Sequence, residues 1–265
     1  MNESLLDESM PNRPLIAPLI SMQSLRSEYE GGSQLFVKQI DWLIKNGYVG
    51  IRRARGDGDC FYRSLAFAYI ERILFAPDKP LAVTSAISAL EASQPLLEAA
   101  GFQRLVFEDF YDCLVSVINK VLTPEGDGQL LSPVTLLEAF NSPEVSNSIV
   151  VYFRLLTSAQ IRADSEQYAS FLFHPEIGEP MDLRDFCENF VEAVGKEADH
   201  VQITALSRAL KVNINVAYLD GRSEEGKVDF VDFQNVDEPG TEPVILLYRP
   251  GHYDILDRRA VEPLE

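Results

Sequence analysis

The apolar residues of this chain follow a helical spacing through most of its length. Within residues 33–47 they recur every three or four positions, and they do so again within residues 60–74. The segments 81–122 and 134–172 have the same character. They are separated by residues 123–128, a stretch with proline and glycine that is typical of a surface loop. The sequence therefore predicts a largely helical first part.

The spacing changes towards the carboxyl end. After two further helices, predicted near residues 182–194 and 199–210, apolar and polar residues alternate in 212–216 and 228–233. Residues 244–248 form a short apolar run, which is typical of a buried strand. Since no linker or internal repeat divides the chain, we predict one α+β domain. In it, a helical lobe packs on a small, mainly antiparallel C-terminal sheet.

The first 22 residues lack this periodicity. They are acidic at first and then contain Pro11, Pro14 and Pro18, so residues 1–22 are predicted to be a flexible arm and residues 23–265 the domain. The chain begins with neither the basic region nor the apolar core of a signal peptide. It also has no apolar run of the roughly 18 residues that a membrane span requires, so we expect no membrane partner.

The charge and the cysteine content narrow the class of protein. The chain carries 23 Lys and Arg against 41 Asp and Glu, a net charge of −18, which argues against nucleic acid because phosphate recognition needs clustered cations. Its three cysteines are too scattered for a disulfide framework or a structural zinc site. We expect a monomer in a reducing compartment, the cytoplasm or also the nucleus.

Cys60 has the surroundings that a cysteine nucleophile requires. Residues 55–59, Arg-Gly-Asp-Gly-Asp, are a turn signal between a short predicted strand at 48–53 and the helix that opens at Cys60. The reactive form of cysteine is the thiolate, which the partial positive charge of a helix N-terminus favours. The unpaired N–H groups there can also bind an oxyanion. Cys60 is thus a candidate nucleophile.

A base for Cys60 must come from elsewhere in the chain, which contains three histidines. His252 follows the apolar run at 244–248, and His252 and Asp254 would point to the same face of a strand because side chains alternate. The carboxylate could then orient the imidazole, which completes a nucleophile–base–orienter triad. On the residues alone, a buried structural cysteine and a surface histidine remain an equally good interpretation.

The remaining cysteines and histidines are better explained by packing. Cys113 lies in the middle of a predicted helix among apolar residues, and Cys187 has similar surroundings. His200 follows Asp199 at a predicted helix start, where a structural role is favoured. His174 lies in a predicted loop and belongs to no motif.

Several segments resemble one family of proteases. The run Gly-Asp-Gly-Asp-Cys-Phe-Tyr-Arg-Ser at 56–64 is similar to the cysteine loop of the OTU superfamily of deubiquitinases. The run Leu-Tyr-Arg-Pro-Gly-His-Tyr-Asp-Ile-Leu at 247–256 resembles the histidine strand of its otubain branch, and residues 151–158 and 197–201 are similar to otubain segments. The resemblance covers residues 23–257. It implies a single catalytic domain with the OTU-type, papain-like cysteine protease fold.

The resemblance also implies roles for individual residues. It assigns the nucleophile to Cys60, the general base to His252 and the orienting acid to Asp254. Asp57 would support the loop that forms the oxyanion hole. The donors in that hole would be the backbone N–H groups of Gly58 and Cys60.

One position departs from the family's pattern. Asp59 stands where many relatives carry asparagine. A carboxylate that pointed towards Cys60 would disfavour the thiolate, because both groups are negative. We expect the Asp59 side chain to face solvent instead.

By the same resemblance, we expect a cysteine deubiquitinase that hydrolyses isopeptide bonds between ubiquitin units without a metal or cofactor. Its partners would be ubiquitin and polyubiquitin, with chains of the proteasome-targeting linkage as substrate. An alternative from another class stays open: a ubiquitin-binding regulator that restrains ubiquitin-conjugating enzymes without cleavage. Residues 21–33, which have a weak helical pattern, could contribute to such a role.

Overall fold

The fold is seen in a computed structural model, which describes residues 13–124, 126, 128–237 and 242–260. The helices are α1 (Met22–Tyr29), α2 (Gln34–Lys45), α3 (Cys60–Leu74), α4 (Lys79–Ala99), α5 (Arg104–Asn119), α6 (Pro133–Asn141), α7 (Pro143–Ala163), α8 (Ser165–Tyr168), α9 (Leu183–Phe186) and α10 (His200–Leu210). A 3₁₀ turn (Ala169–Phe171) follows α8, and α9 continues into a turn of π-helix (Cys187–Glu192). The strands are β1 (Ile16–Ser21), β2 (Gly50–Ala54), β3 (Ile214–Tyr218), β4 (Asp229–Phe233), β5 (Val244–Arg249) and β6 (His252–Asp257).

The strands of the described residues form one sheet in the order β1-β2-β6-β5-β3-β4. Neighbouring strands are antiparallel except for β3 and β5, which run parallel. The prediction of an α+β fold with a mainly antiparallel sheet is therefore confirmed. The sheet is not confined to the carboxyl end, however, because β1 and β2 extend it beyond β6.

The first strand, β1, lies in the segment that was predicted to be a flexible arm. Ile16 to Ser21 pair with β2, and the Ser21 side chain accepts a hydrogen bond from Gln23 N (3.1 Å) at the start of α1. Pro18 lies where the register shifts, in an edge strand that tolerates a residue without an N–H, so the prolines concealed this strand. The prediction of a flexible arm is wrong from Ile16 onward. Residues 1–12 lie outside the described residues.

Helices cover both faces of the sheet. On one face, buried residues of α1 and α2, among them Leu25 and Leu43, pack in one cluster with Leu247 and Leu256. On the other face, α3 lies between the sheet and a lobe of helices that includes α4, α5 and α7. Thirteen of the 15 residues of α3 are buried, so packing on all sides fixes the position of its N-terminus.

The two long segments that were predicted to be helical each contain a break. Gly101, with φ of +95°, lies between α4 and α5, and Pro143 begins α7 directly after α6 because proline is tolerated in the first turn of a helix. The helix predicted at residues 60–74 coincides with α3. Among the helices of the described ranges, none has both the length and the apolar character that crossing a membrane demands.

Candidate active site

The loop between β2 and α3 places Cys60 at the first position of the helix, where the residue is buried. Gly58 in this loop has φ of +80°, in the left-handed region that favours glycine. A Cβ at this position would lie 2.1 Å from the carbonyl oxygen of Gly195. Any side chain at position 58 would therefore displace the loop from the segment that faces it.

Two backbone N–H groups of the loop are available to a ligand. Asp57 N donates to the Arg55 carbonyl (3.0 Å) and Asp59 N donates to Asp57 Oδ1 (3.1 Å). Among the described residues, no hydrogen bond uses the N–H of Gly58 or of Cys60. The Cys60 N–H is one of the free donors of a helix N-terminus, where aligned peptide dipoles give a partial positive charge. The two groups can thus bind a negatively charged oxygen.

His252 opens β6 directly after a turn in which Gly251 has φ of +76°. Its Nε2 lies 2.8 Å from Asp254 Oδ1, two residues along the same strand, as the alternation of side chains predicts. The ring also interacts with the Cys60 side chain, and its other nitrogen, Nδ1, is not used by Asp254. Burial lowers the pKa of His252, but the negative charges of Asp254 and Cys60 outweigh burial and raise this pKa well above its ordinary value of about 6.5. The structure thus brings the three predicted side chains together.

Asp254 is fully buried, and its carboxylate accepts hydrogen bonds from several neighbouring donors. Its Oδ2 accepts from Arg249 Nε (3.1 Å) and Nη2 (2.5 Å), and its Oδ1 accepts from Ala54 N (3.1 Å) as well as facing the His252 ring. Burial alone would raise the pKa of Asp254, but Arg249 and His252 lower it below the ordinary range of a carboxyl group. The carboxylate therefore stays charged, and Arg249 is a site residue to which sequence reasoning assigned no role.

Asp57 is bonded within its own loop. Arg63 Nη1 donates to both of its carboxylate oxygens (2.8 and 2.9 Å), and Arg55 Nε donates to Oδ2 (3.2 Å). Burial raises the pKa of Asp57, but Arg63 and the other donors outweigh this effect, so the pKa is lowered overall. The charged side chain braces the turn that contains Gly58. This is the geometry that a supporting role for Asp57 requires.

The prediction that the Asp59 side chain faces solvent is wrong. The residue is 9% exposed, and its Oδ1 accepts hydrogen bonds from Arg154 Nε (2.9 Å) and Gly195 N (3.0 Å). The guanidinium compensates the charge of the carboxylate, so the carboxylate does not act as an isolated negative charge beside Cys60. Sequence reasoning missed this pair because its members are 95 residues apart.

The other cysteines and histidines have structural surroundings. Cys113 is half-buried in α5 and Cys187 is buried, and in both cases burial raises the pKa of the thiol. His200 is the first residue of α10, and Asp199 caps that helix. Across the described ranges, no group of His, Cys, Asp and Glu side chains is arranged to hold a metal ion.

The imidazole can be tested directly by a pH titration followed by NMR. The ring protons of His252 should report a pKa well above about 6.5, because Asp254 and Cys60 both stabilise the charged ring. Cys60→Ala removes one of these negative partners and should lower the midpoint. His252→Gln identifies the resonance by its loss. A wild-type midpoint at or below about 6.5, or a midpoint unaffected by Cys60→Ala, would contradict the arrangement.

Comparison with known proteins gives one family. The sequence profile of the peptidase C65 otubain family matches residues 8–258. Ovarian tumor domain-containing deubiquitinating enzyme 1 of Arabidopsis thaliana is 35% identical over 263 residues, which are 96% of this chain and 84% of that protein. Ubiquitin thioesterase OTUB1 of Homo sapiens is 35% identical over 255 residues, which are 96% of this chain and 87% of that protein.

Solved structures show the same fold. The complex of h/ceOTUB1 with ubiquitin aldehyde and UBC13~Ub matches with a TM-score of 0.79 at 28% identity, over 96% of this chain and 94% of that chain. The corresponding complex of h/ceOTUB1 with UBCH5B~Ub matches with a TM-score of 0.80, also at 28% identity and with the same coverage. The similarity therefore extends over nearly the whole chain, in sequence and in fold.

Proposed function

This chain belongs to the otubain family of cysteine-type deubiquitinases, and from that premise we propose that it hydrolyses isopeptide bonds between ubiquitin units with Cys60 as nucleophile. The observation that carries the proposal is the arrangement of Cys60, at the N-terminus of a buried helix, with the His252 ring, which interacts with Cys60 and lies 2.8 Å from Asp254 Oδ1. A thiol, a base and a carboxylate in this order are the parts that thiol-dependent acyl transfer needs.

The first step forms a thioester. His252 takes the proton of Cys60, and the thiolate sulfur attacks the carbonyl carbon of the C-terminal glycine of ubiquitin, which is joined to a lysine of the next unit. The carbon–nitrogen bond then breaks as His252 gives its proton to the departing amine. Asp254 orients the ring and stabilises its positive charge, and Arg249 and the Ala54 N–H hold Asp254 in place.

The second step releases ubiquitin. His252 takes a proton from a water molecule, whose oxygen attacks the thioester carbon, and the carbon–sulfur bond breaks to regenerate Cys60. In both steps the carbonyl oxygen becomes negative in a tetrahedral intermediate, to which the N–H groups of Gly58 and Cys60 donate. Asp57 acts on this step indirectly, by bracing the turn that presents those N–H groups.

The substrate that we propose is polyubiquitin of the linkage that targets proteins to the proteasome. The otubain-like motifs at 56–64 and 247–256 and the relatives named ubiquitin thioesterases support ubiquitin as the substrate, and the linkage is what the resemblance to otubains implies. The test is a panel of di-ubiquitins, one for each linkage, incubated with the wild-type protein. The proteasome-targeting linkage should be cleaved at least about 10-fold faster than the others. Similar rates for all linkages would contradict the linkage but not the hydrolysis.

A second candidate function is the restraint of ubiquitin-conjugating enzymes without cleavage. It is favoured by the matching structures, which are complexes of h/ceOTUB1 with ubiquitin aldehyde and UBC13~Ub or UBCH5B~Ub. Deletion of residues 1–12 tests a contribution of the segment before β1, and it leaves β1 and the helix α1 within residues 21–33 intact. If that segment takes part, the truncated protein should still cleave di-ubiquitin but no longer inhibit chain formation. Undiminished inhibition by the truncated protein would exclude the contribution.

A further inference from the structure

Arg154, in α7, has a fully buried side chain, a rare place for a guanidinium. Its Nε and Nη2 donate to Asp59 Oδ1. Nη2 also donates to the carbonyl oxygens of Gly58 (3.2 Å) and Lys196 (2.7 Å), and Nη1 donates to that of Val191 (2.9 Å). The rigid fork of donors thus joins the cysteine loop to residues 191–196, which we call the facing segment.

The cysteine loop and the facing segment meet at further points. Asp59 Oδ1 accepts from Gly195 N (3.0 Å), and the carbonyl oxygen of Gly195 occupies the space that a side chain at Gly58 would need. The guanidinium of Arg154 also lies 4.3 Å from the ring centroid of Tyr62, in the first turn of α3. The loop is therefore held against the facing segment by close approach as well as by charge.

These contacts act on the peptide unit that lies between the two units carrying the free N–H groups of the loop. The Cys60 N–H belongs to the peptide unit whose carbonyl is that of Asp59, and this carbonyl accepts from Arg63 N (3.0 Å). The preceding unit is held at its carbonyl by Arg154 and at its N–H by Asp57. Because a peptide unit is planar, holding one end orients the other. The Gly58 N–H belongs to the unit before these two, so Arg154 holds the unit that links the two donors, and the Asp59 carboxylate holds Arg154.

We propose that Arg154 and Asp59 are positioning residues that aim the N–H groups of Gly58 and Cys60 at the oxyanion, by holding the cysteine loop against the facing segment. The inference rests on the proposed function, since the oxyanion arises in the thioester step. If the ion pair were purely structural, its removal would lower the stability of the fold and the reactivity of the Cys60 thiol together. A positioning pair affects the step that forms an oxyanion and leaves the reactivity of the thiol unchanged.

Asp59→Ala tests this distinction, because it removes the acceptor that Arg154 and Gly195 share. For a fluorogenic amide of the ubiquitin C-terminus, kcat should fall about 100-fold, the usual cost of losing one oxyanion donor. KM should change less than about twofold. The rate at which iodoacetamide alkylates Cys60 should also change less than about twofold, since alkylation uses the thiolate but forms no oxyanion. Asp59→Asn keeps an oxygen that accepts from both donors and should restore kcat to within about fivefold of wild type.

Arg162→Met is the matched control. Arg162 lies two turns further along α7 and also pairs with the facing segment, at Glu192 (2.8 Å), but its partners do not include the cysteine loop. Its kcat should stay within about twofold of wild type. Arg154→Lys replaces the guanidinium and its fork of donors by a single ammonium group, so kcat should fall as it does in Asp59→Ala. If Arg154→Lys fails to fold, the comparison of Asp59→Ala with Asp59→Asn tests the positioning role by itself.

Three results would overturn the positioning role. They are an unchanged kcat in Asp59→Ala, an equal loss of kcat and of alkylation rate, and an equal loss of kcat in Arg162→Met. Failure of the proposed function is distinguishable from these, because the wild-type protein would then cleave no ubiquitin substrate at all. Cleavage by the wild type together with any of the three results removes only the positioning role.

Discussion

Cys60→Ala should abolish cleavage of di-ubiquitin, with a fall in kcat of at least about 10⁴-fold, because removing the nucleophile of a triad leaves only the binding and oxyanion contributions. This fall in kcat should be larger than the fall caused by substituting any supporting residue, since no acyl-enzyme can form without the thiol. The measurement is the initial rate of di-ubiquitin cleavage at a saturating substrate concentration. Binding of ubiquitin, measured by calorimetry, should be retained because the substitution removes one buried sulfur atom from a packed helix.

Cys113→Ala is the matched control for this prediction. Cys113 is half-buried in α5 and has a thiol whose pKa is raised by burial, so its removal should leave the rate of cleavage unchanged within about twofold. Residual cleavage by Cys60→Ala above about 1% of the wild-type rate would contradict the assignment of the nucleophile. Loss of activity in Cys113→Ala alone would point to a different thiol.

Asp254→Ala should lower both the activity and the stability of the protein. The His252 ring loses the carboxylate that orients it and stabilises its charge, so kcat should fall about 10³-fold. The buried Arg249 guanidinium also loses the carboxylate that faces it, and breaking such a pair costs about 3–5 kcal/mol of unfolding free energy. Denaturant unfolding at pH 7 and a kinetic assay of the same preparation measure the two effects.

A double-mutant cycle separates charge from packing in this second prediction. In Arg249→Leu with Asp254→Leu neither buried charge remains, so the double variant should be more stable than the sum of the two single changes implies.

The contribution of Asp254 to the free energy of unfolding also depends on pH, with a definite sign. The folded-state pKa of Asp254 is depressed, so its contribution is present above the unfolded pKa of about 3.9 and is lost as the pH falls through the folded pKa. Additive effects in the cycle, or an effect of Asp254→Ala that grows on acidification, would contradict the buried pair.

Much of the candidate site follows from local sequence signals. The glycine-rich turn and the helical spacing after it define α3 and put Cys60 at its first position, because both signals operate within a few residues. The alternation of side chains places His252 and Asp254 together for the same reason. The contact between Cys60 and His252 could be predicted only from the family resemblance, since 192 residues separate them and no local rule relates them.

The features that sequence reasoning missed depend on distant contacts or on an exception to a local rule. Arg154 pairs with Asp59 across 95 residues, and neither side chain carries a signal that names its partner. A charged residue within the apolar run of α7 was nevertheless a clue, because a buried arginine requires acceptors. The strand at Ile16 to Ser21 was missed because proline in a segment weakens a strand interpretation, although an edge strand with an irregular register accommodates it.

The most direct measurement of the central claim is the reaction of the wild-type protein with ubiquitin that carries an electrophile in place of its C-terminal carboxylate. Mass spectrometry of the intact protein and of its peptides should show one adduct, and the modified residue should be Cys60. Preincubation with iodoacetamide should block the adduct, because the same thiolate reacts with both reagents. An adduct on Cys113 or Cys187, or no adduct with a protein that unfolds cooperatively, would contradict the assignment of Cys60 as the nucleophile of a deubiquitinase.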